Sequence, residues 1–200
     1  MSEEIILIGA SGHGKVIFDI IQAQGDTVIG FLDDNAVGTC CGVPILGPVS
    51  HAPNYPHAKF IISIGSNAVR ARIAKELDVR WHTAVHPSAV VSPSASIEEG
   101  TVVMANAVVQ AEAMVGCHCI LNTGCIVEHE NKIADYVHLS PRVATGGNVS
   151  IGEGSHIGIG ACVRNNINIC DWCTVGAGAA VVSDLNEAGV YVGIPARKVK

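Results

Sequence analysis

From position 89 to 184 an aliphatic residue returns at every sixth place: Val91, Ile97, Val103, Val109, Val115, Leu121, Val127, Ile133 and Leu139. Thr145 misses the beat, and Ile151, Ile157, Val163, Ile169, Val175 and Val181 resume it. Two positions before each beat sits a mostly small residue, among them Ala89, Ala95, Ala107, Ala113, Cys119, Cys125 and Cys173. Neither the helical period of about 3.6 nor strand alternation yields a strict six. A hexapeptide period predicts a parallel β-helix. Each side is then a short strand and a corner, the branched residue points into a narrow prism, and the small residue lets the chain turn. Three sides close a coil, so inward residues stack about eighteen positions apart, in about five coils. One coil cannot bury its inner face, whereas a stacked array can.

The first 80 residues follow another pattern. An apolar run at residues 5–8 predicts a buried parallel strand, followed by a glycine loop, GASGHGK, and then by Val16, Ile17, Ile20 and Ile21 at helical spacing. Residues 27–32 read as a second strand ending in Asp33 and Asp34, and a loop carrying Gly38, Gly42, Pro44 and Gly47 follows. A strand at residues 60–64 leads through Gly65 into a helix over residues 68–77, with Arg70, Arg72, Lys75 and Glu76 on its wet face. Strands alternating with helices imply a parallel sheet. This is half of a dinucleotide fold, enough for one mononucleotide. We therefore expect two domains: a small α/β, Rossmann-like nucleotide-binding domain over residues 1–82 and an all-β helix over residues 83–200, whose tail from 185 closes the open end of the prism as a loop.

Composition narrows the function classes. The chain is rich in glycine and poor in aromatic residues, as corners and a narrow interior require. A net charge of −6 without a basic tract argues against nucleic acid as the main partner. No basic leader and no run of about eighteen apolar residues is present, so the expectation is a cytoplasmic protein without a membrane partner. The eight cysteines read as thiols, several at positions that want a small hydrophobe. Cys117 and Cys119 lack a second close pair, and the expectation for the chain as a whole is no metal.

Two constellations carry candidate chemistry. The glycine loop follows a strand and opens a helix, where backbone N–H groups favour a phosphate. Its spacing, GxxGxG, equally suits a tight turn without a ligand. Asp33 and Asp34 lie about twenty residues on, where a carboxylate holds ribose or a base edge, or else caps a turn. Gly65 ends a strand on the same edge. The second constellation is Asn122, His129, Glu130, His138 and Gly147, beside the failed beat at Thr145. Both imidazoles should lie on or near the outer surface, on different sides of one prism, meeting only where prisms pack side by side. His118 and His156 read as structural.

Together, GASGHGK, LDD, NTGCIVEHE, the second histidine nine residues past the first, GGN and the GVYVGIPA tail resemble the sugar acetyltransferases that pair a small nucleotide-binding domain with a left-handed parallel β-helix. The resemblance is strongest to the N-acetyltransferases of UDP-4-amino-4,6-dideoxy sugars, with the sialic acid O-acetyltransferases close by, and covers essentially the whole chain. It implies a homotrimer with sites between subunits, acetyl-CoA as co-substrate and a UDP-amino-sugar acceptor. It further implies His129 as general base, Glu130 as its orienting partner and Asn122 near the acceptor. His138 would approach the thioester, and Ile159 and Ala177 would line the acyl-CoA groove. Ala177 stands where the family usually carries glycine. Ser11, Gly12 and His13 would contact the UDP phosphates, with Asp33, Asp34 and Gly65 on the uridine side. Lys15 adds a phosphate contact, and Arg197, Lys198 and Lys200 either meet the CoA 3′-phosphate or form a solvated tail.

The chemistry agrees. Imidazole, with a reference pKa of about 6.5, accepts a proton at neutral pH. A positioned base contributes about 10²–10⁴-fold, and alignment of two substrates contributes up to about 7–11 kcal/mol. A backbone N–H near Gly147 would stabilise the oxyanion. Cys125 is assigned a structural role over a nucleophilic one. The rival readings are a sugar O-acetyltransferase, a zinc enzyme of the carbonic anhydrase type and a non-catalytic nucleotide-sugar sensor. The zinc enzyme would need three converging histidines.

Overall fold

In the computed structural model, which describes residues 3–199, the apolar run forms β1 (Glu4–Ile8), an interior strand of a five-stranded sheet. The glycine loop leads into α1 (Gly12–Gln24), and β2 (Thr27–Leu32) pairs parallel to β1. The stretch expected to be only a loop holds β3 (Thr39–Cys40) and β4 (Val43–Gly47), with β4 added parallel to β2. Lys59–Ile62 is β5, on the other side of β1, and α2 (Asn67–Glu76) follows. Ile5, Ile6, Leu7 and Ile8 are all fully buried, each worth about 1.5–3 kcal/mol against exposure.

The prism begins at Ala84–Val85. Its sides are two-residue strands, and the second residue of each is the inward one. Val109 pairs with Val127, Val115 with Ile133, and Leu121 with Leu139, one coil apart. The first face runs from Val90–Val91 to Ala180–Val181, the second from Ser96–Ile97 to Asn168–Ile169, and the third from Ala84–Val85 to Thr174–Val175. The tail is not a loop. Val190–Val192 and Arg197–Lys198 extend the third face with Tyr191 buried at its end, and Leu185, also buried, continues the second face from Ile169.

Two details of the repeat differ from expectation. The corner is turned not by the small residue but by the one before it, which takes a left-handed backbone. Asn106, Glu112, His118, Glu130, Tyr136, Arg142, Asn148, Asn166 and Trp172 hold φ between 53 and 61° there. Such a conformation costs a non-glycine residue about 1–2 kcal/mol. Bonds between coils offset it: the Glu130 N–H donates to Ala111 O at 3.0 Å, and Asn148 N–H to His129 O at 2.9 Å. The failed beat has a partner as well. Thr145 is buried, and its Oγ1 bonds to the Ile126 carbonyl, the Glu128 N–H and the Asn131 amide.

The small domain docks on the third face. Ile17, Phe18, Ile20 and Ile21 of α1 share a core with Ala84, Val102, Met104 and Ile120. Arg70, expected on the wet face of its helix, is 1% exposed and points at the prism. Its Nε donates to His118 O, Nη2 to Tyr136 O, and Nη1 to Ile64 O and Gly65 O, at 2.9–3.1 Å. Asn67, one turn earlier, donates to Gly154 O and Ser155 O. Burial lowers the Arg70 pKa to about 10, so it stays charged at neutral pH.

Candidate active site

The chain assembles its chemistry in two places. The first is the carboxyl edge of the small sheet. Gly9 has φ 110°, and a β-carbon on Gly14 would stand 2.4 Å from the Gly9 carbonyl, so both glycines serve the tight turn into α1. Asp33 closes the loop, with Oδ2 accepting from Ala10 N–H and Oδ1 from Asn35 and Ala36 N–H. Although partial burial pushes the other way, these donors hold its carboxyl below the ordinary value. Asp34 accepts from Val49 N–H. Both carboxylates thus cap loops while rimming a cavity of about 190 Å³ that Gly9, Val69 and Arg72 also line. Ser11, Gly12 and Lys15 are exposed at the start of α1.

His13 turns from this edge into the seam beneath the domain. Its Nε2 is buried without a partner, and its ring lies 6.4 Å from that of His138. His138 was expected near the outer surface; it lies half-buried under the small domain, which covers the third face. Its ring stacks at 4.8 Å on that of His156, its neighbour one coil on. Asn122 fixes its tautomer. Thr123 N–H donates to Asn122 Oδ1, so Asn122 Nδ2 donates to His138 Nε2 at 3.1 Å and leaves the ring proton on Nδ1. Ser140 Oγ lies 2.8 Å from His156 Nε2. Burial drives the pKa of His138 down to about 3 and that of His13 to about 4, and the Arg70 charge adds to both. These rings are neutral at pH 7 and offer hydrogen bonds rather than charge. His118 is packed between Trp81 and Tyr136 in the docked interface.

The second place is the edge of the prism after the first face. His129 and Glu130 are exposed there, and Glu130 Oε2 lies 2.9 Å from His129 Nδ1. A carboxylate at Nδ1 holds the proton on that nitrogen and leaves Nε2 as a base. A cavity of about 440 Å³ opens beside the ring, lined by Gly147, Asn148, Asn165 and Asn166. The space left by the missing side chain of Gly147 is filled by the His129 ring. Ile159 and Ala177 are exposed on another edge, after the third face, and Gly178 N–H donates to Ile159 O at 2.8 Å. Within one chain, then, His129, Glu130 and Gly147 come together, as do His13, Gly65, Asn122 and His138; the acyl-groove residues join neither group. Arg197 and Lys198 extend the third face, and Lys200 lies outside the described residues.

Arg70 is the residue that sequence reasoning missed, since a charge on a helix was assigned to solvent. Its spacing from Asn67 and Ile73 puts all three on one face, which was the available signal. Among the described residues no helix is long and apolar enough to cross a membrane, and all eight cysteines are free thiols.

The family model of the PglD N-terminal domain matches residues 4–77. The acetyltransferase domain of PglB from Neisseria gonorrhoeae FA1090 is 36% identical, with a TM-score of 0.95 over 99% of this chain and 100% of that one. The same domain has been solved in complex with acetyl coenzyme A. A mutant of perosamine N-acetyltransferase from Caulobacter crescentus, in complex with CoA and GDP-perosamine, is 33% identical, with a TM-score of 0.94 over 98% and 97% of the two chains. The UDP-N-acetylbacillosamine N-acetyltransferase of Bacillus subtilis (strain 168) is 43% identical over 99 residues, 45% of this chain and 46% of that protein. The match thus spans about half the length of that curated relative.

Proposed function

The chain belongs to the family of sugar N-acetyltransferases that join a PglD-type N-terminal domain to a left-handed β-helix, and on that premise we propose that it acetylates the 4-amino group of a UDP-linked 4-amino-4,6-dideoxy-N-acetylglucosamine with acetyl-CoA. The observation that carries this reading is the exposed His129 with a carboxylate on Nδ1 and a free Nε2 over an open cavity. The sugar amine attacks the thioester carbonyl as its proton passes to His129 Nε2. An N–C bond forms, the C–S bond breaks, and CoA leaves as the thiolate. Glu130 balances the imidazolium. No covalent acyl-enzyme is needed. The name of the Bacillus subtilis relative supports UDP as the nucleotide.

In this reading the working unit is a homotrimer. His129 stands on the edge after the first face, whereas Ile159 and Ala177 stand on the edge after the third. A base and an acyl groove on different edges meet when a neighbouring prism turns its groove edge to the base. Val90 and Ile126, outward on the first face, are apolar and exposed, which suits that packing. The small domain presents the nucleotide with Ser11, Gly12 and the Asp33–Asp34 rim, and the seam residues His13, Asn122 and His138 line the way inward.

A coenzyme A thiol-release assay with acetyl-CoA and a panel of UDP- and GDP-4-amino sugars, plus hydroxyl-bearing counterparts, tests the reading. Turnover with the UDP-4-amino sugar is expected, and the product should carry an amide. Turnover only with a hydroxyl acceptor, or none with any nucleotide sugar, refutes it.

A further inference from the structure

At the amino ends of β1 and β2, the opposite edge of the sheet from the glycine loop, three side chains converge from distant parts of the chain. Glu3 precedes β1, Asp26 lies in the turn between α1 and β2, and His82 lies in the linker just before the prism. One donor atom from each lies within 4.8 Å of the other two. The Glu3 N–H donates to Asp26 Oδ1 at 2.9 Å, which pins the two segments together. His82 is 6% exposed. Its Nδ1 is 3.3 Å from Glu3 Oε2 and its Nε2 is 3.9 Å from Asp26 Oδ2. That Nε2 is buried and has no hydrogen-bond partner.

A neutral imidazole has one N–H and one lone pair. With the proton on Nδ1, which donates to Glu3, the Nε2 lone pair faces the Asp26 carboxylate. In the other tautomer the Nδ1 lone pair faces Glu3. Either way a ring lone pair faces a carboxylate, and with Nε2 buried and unpartnered beside Asp26 that arrangement costs free energy unless a cation stands between them. Burial opposes a proton in that role, and it holds the His82 pKa below its ordinary value although Asp26 and Glu3 pull it up.

We propose that Glu3, Asp26 and His82 form a binding site for one divalent transition-metal ion of the zinc type. One imidazole and two carboxylates make a nitrogen and oxygen donor set that suits zinc, with water as fourth ligand and bonds of about 2.0–2.2 Å. Calcium and magnesium prefer oxygen ligands alone. The donor atoms, now within 4.8 Å of one another, have to close by up to about 1.2–1.5 Å to reach the spacing of a tetrahedral site. Lys59, bonded to Glu3 Oε1, is the competing cation. The bound ion joins the start of the chain, the turn after α1 and the linker. His82 N–H already donates to Phe60 O of β5 at 2.8 Å, so the ion fixes the segment that aims the small domain at the prism. The site lies apart from the chemistry proposed for His129, and binding itself is the readout.

The intact protein, stripped with a chelator, is titrated with Zn²⁺ by calorimetry and with Co²⁺ by visible absorption. One ion per chain is expected, with the intense visible bands of tetrahedral cobalt and a melting temperature that rises with metal concentration. His82→Gln and Asp26→Asn each weaken binding by more than the about 10–100-fold that an outer-shell partner is worth, and Lys59→Met strengthens it. Circular dichroism of each variant confirms that it is folded. Binding unchanged in both ligand variants, or no binding at this stoichiometry, overturns the site. So does an NMR titration in which the His82 ring takes up a proton near neutral pH and shows no response to zinc.

Discussion

The imidazole of His129 lies against the α-carbon of Gly147, one coil on, so closely that a β-carbon there would stand 2.4 Å from both Cε1 and Nε2. The backbone of Gly147 is not left-handed, so alanine strains nothing but the ring. Gly147→Ala should therefore keep the fold and displace the proposed base. A displacement of about an ångström is worth about 10²-fold in rate. A kcat loss of that order with an unchanged melting curve is expected; full activity would mean that the ring position is irrelevant to turnover.

Removing the ring tests its role directly. His129→Ala is expected to lower kcat by about 10²-fold or more without changing oligomeric state, because the side chain is exposed and makes no core contact. Steady-state kinetics and sedimentation together decide it. Near-normal turnover in that variant would remove His129 from the chemistry.

Arg70 closes four carbonyls at the join between domains. In Arg70→Met the carbonyls of His118 and Tyr136 remain buried, whereas those of Ile64 and Gly65 are only partly so, and each buried unsatisfied group costs about 1–3 kcal/mol. A loss of at least about 3 kcal/mol is expected in urea unfolding, with the small domain loosening first. Limited proteolysis should cut near residues 77–83 before it cuts the prism.

Three imidazoles between the small domain and the prism set an acid limit. His13 and His118 are held near pKa 4 and His138 near 3, in each case chiefly by burial. The unfolded chain binds their protons below about pH 6.5 and the folded chain does not. Their contribution is complete above pH 6.5 and falls as pH drops through the window down to 4 and then 3. Each ring adds up to about 1.4 kcal/mol per pH unit to that slope. Urea melts at pH 7, 6 and 5 should show it, and His118→Gln, if folded, should flatten it.

The first face is open to a direct test of assembly. Ile126→Glu puts a charge among apolar outward residues and leaves the inward column untouched. A monomer with an intact circular dichroism spectrum and no turnover is expected. A catalytically active monomer would separate assembly from activity.

The prism was legible because one inward position per side is all its packing requires, and Val109, Val115 and Leu121 state it without noise. What covers a face was not. The period assigns His138 to a side of the prism but is silent about the α1 surface lying over Ile120 and Val102, so its burial could not be read. Near Gly42, Pro44 and Gly47 the turn signals masked β4, whose pairing with β2 is a tertiary effect. Thr145 was visible as a gap. Its partner Asn131 was not, because it occupies a column that otherwise holds small or aliphatic residues. The His129–Glu130 pair could be picked out as adjacent residues and Gly147 as lying eighteen positions on, but that the ring fills the space a side chain there would take could not.

The left-handed corners hold one more lesson, about where such a pair can stand. Ala111–Glu112, His129–Glu130, Gly147–Asn148 and Asn165–Asn166 occupy equivalent rungs of one edge, with the second residue of each pair in the same backbone state. The interior does mark the rung of His129: the buried Thr145–Asn131 pair, bonded to Glu128 N–H, lies beside it, where the neighbouring coils carry aliphatic residues. The exposed imidazole thus stands at the one level of the edge that the column itself singles out, and a polar pair inside the prism sits next to the polar pair outside it.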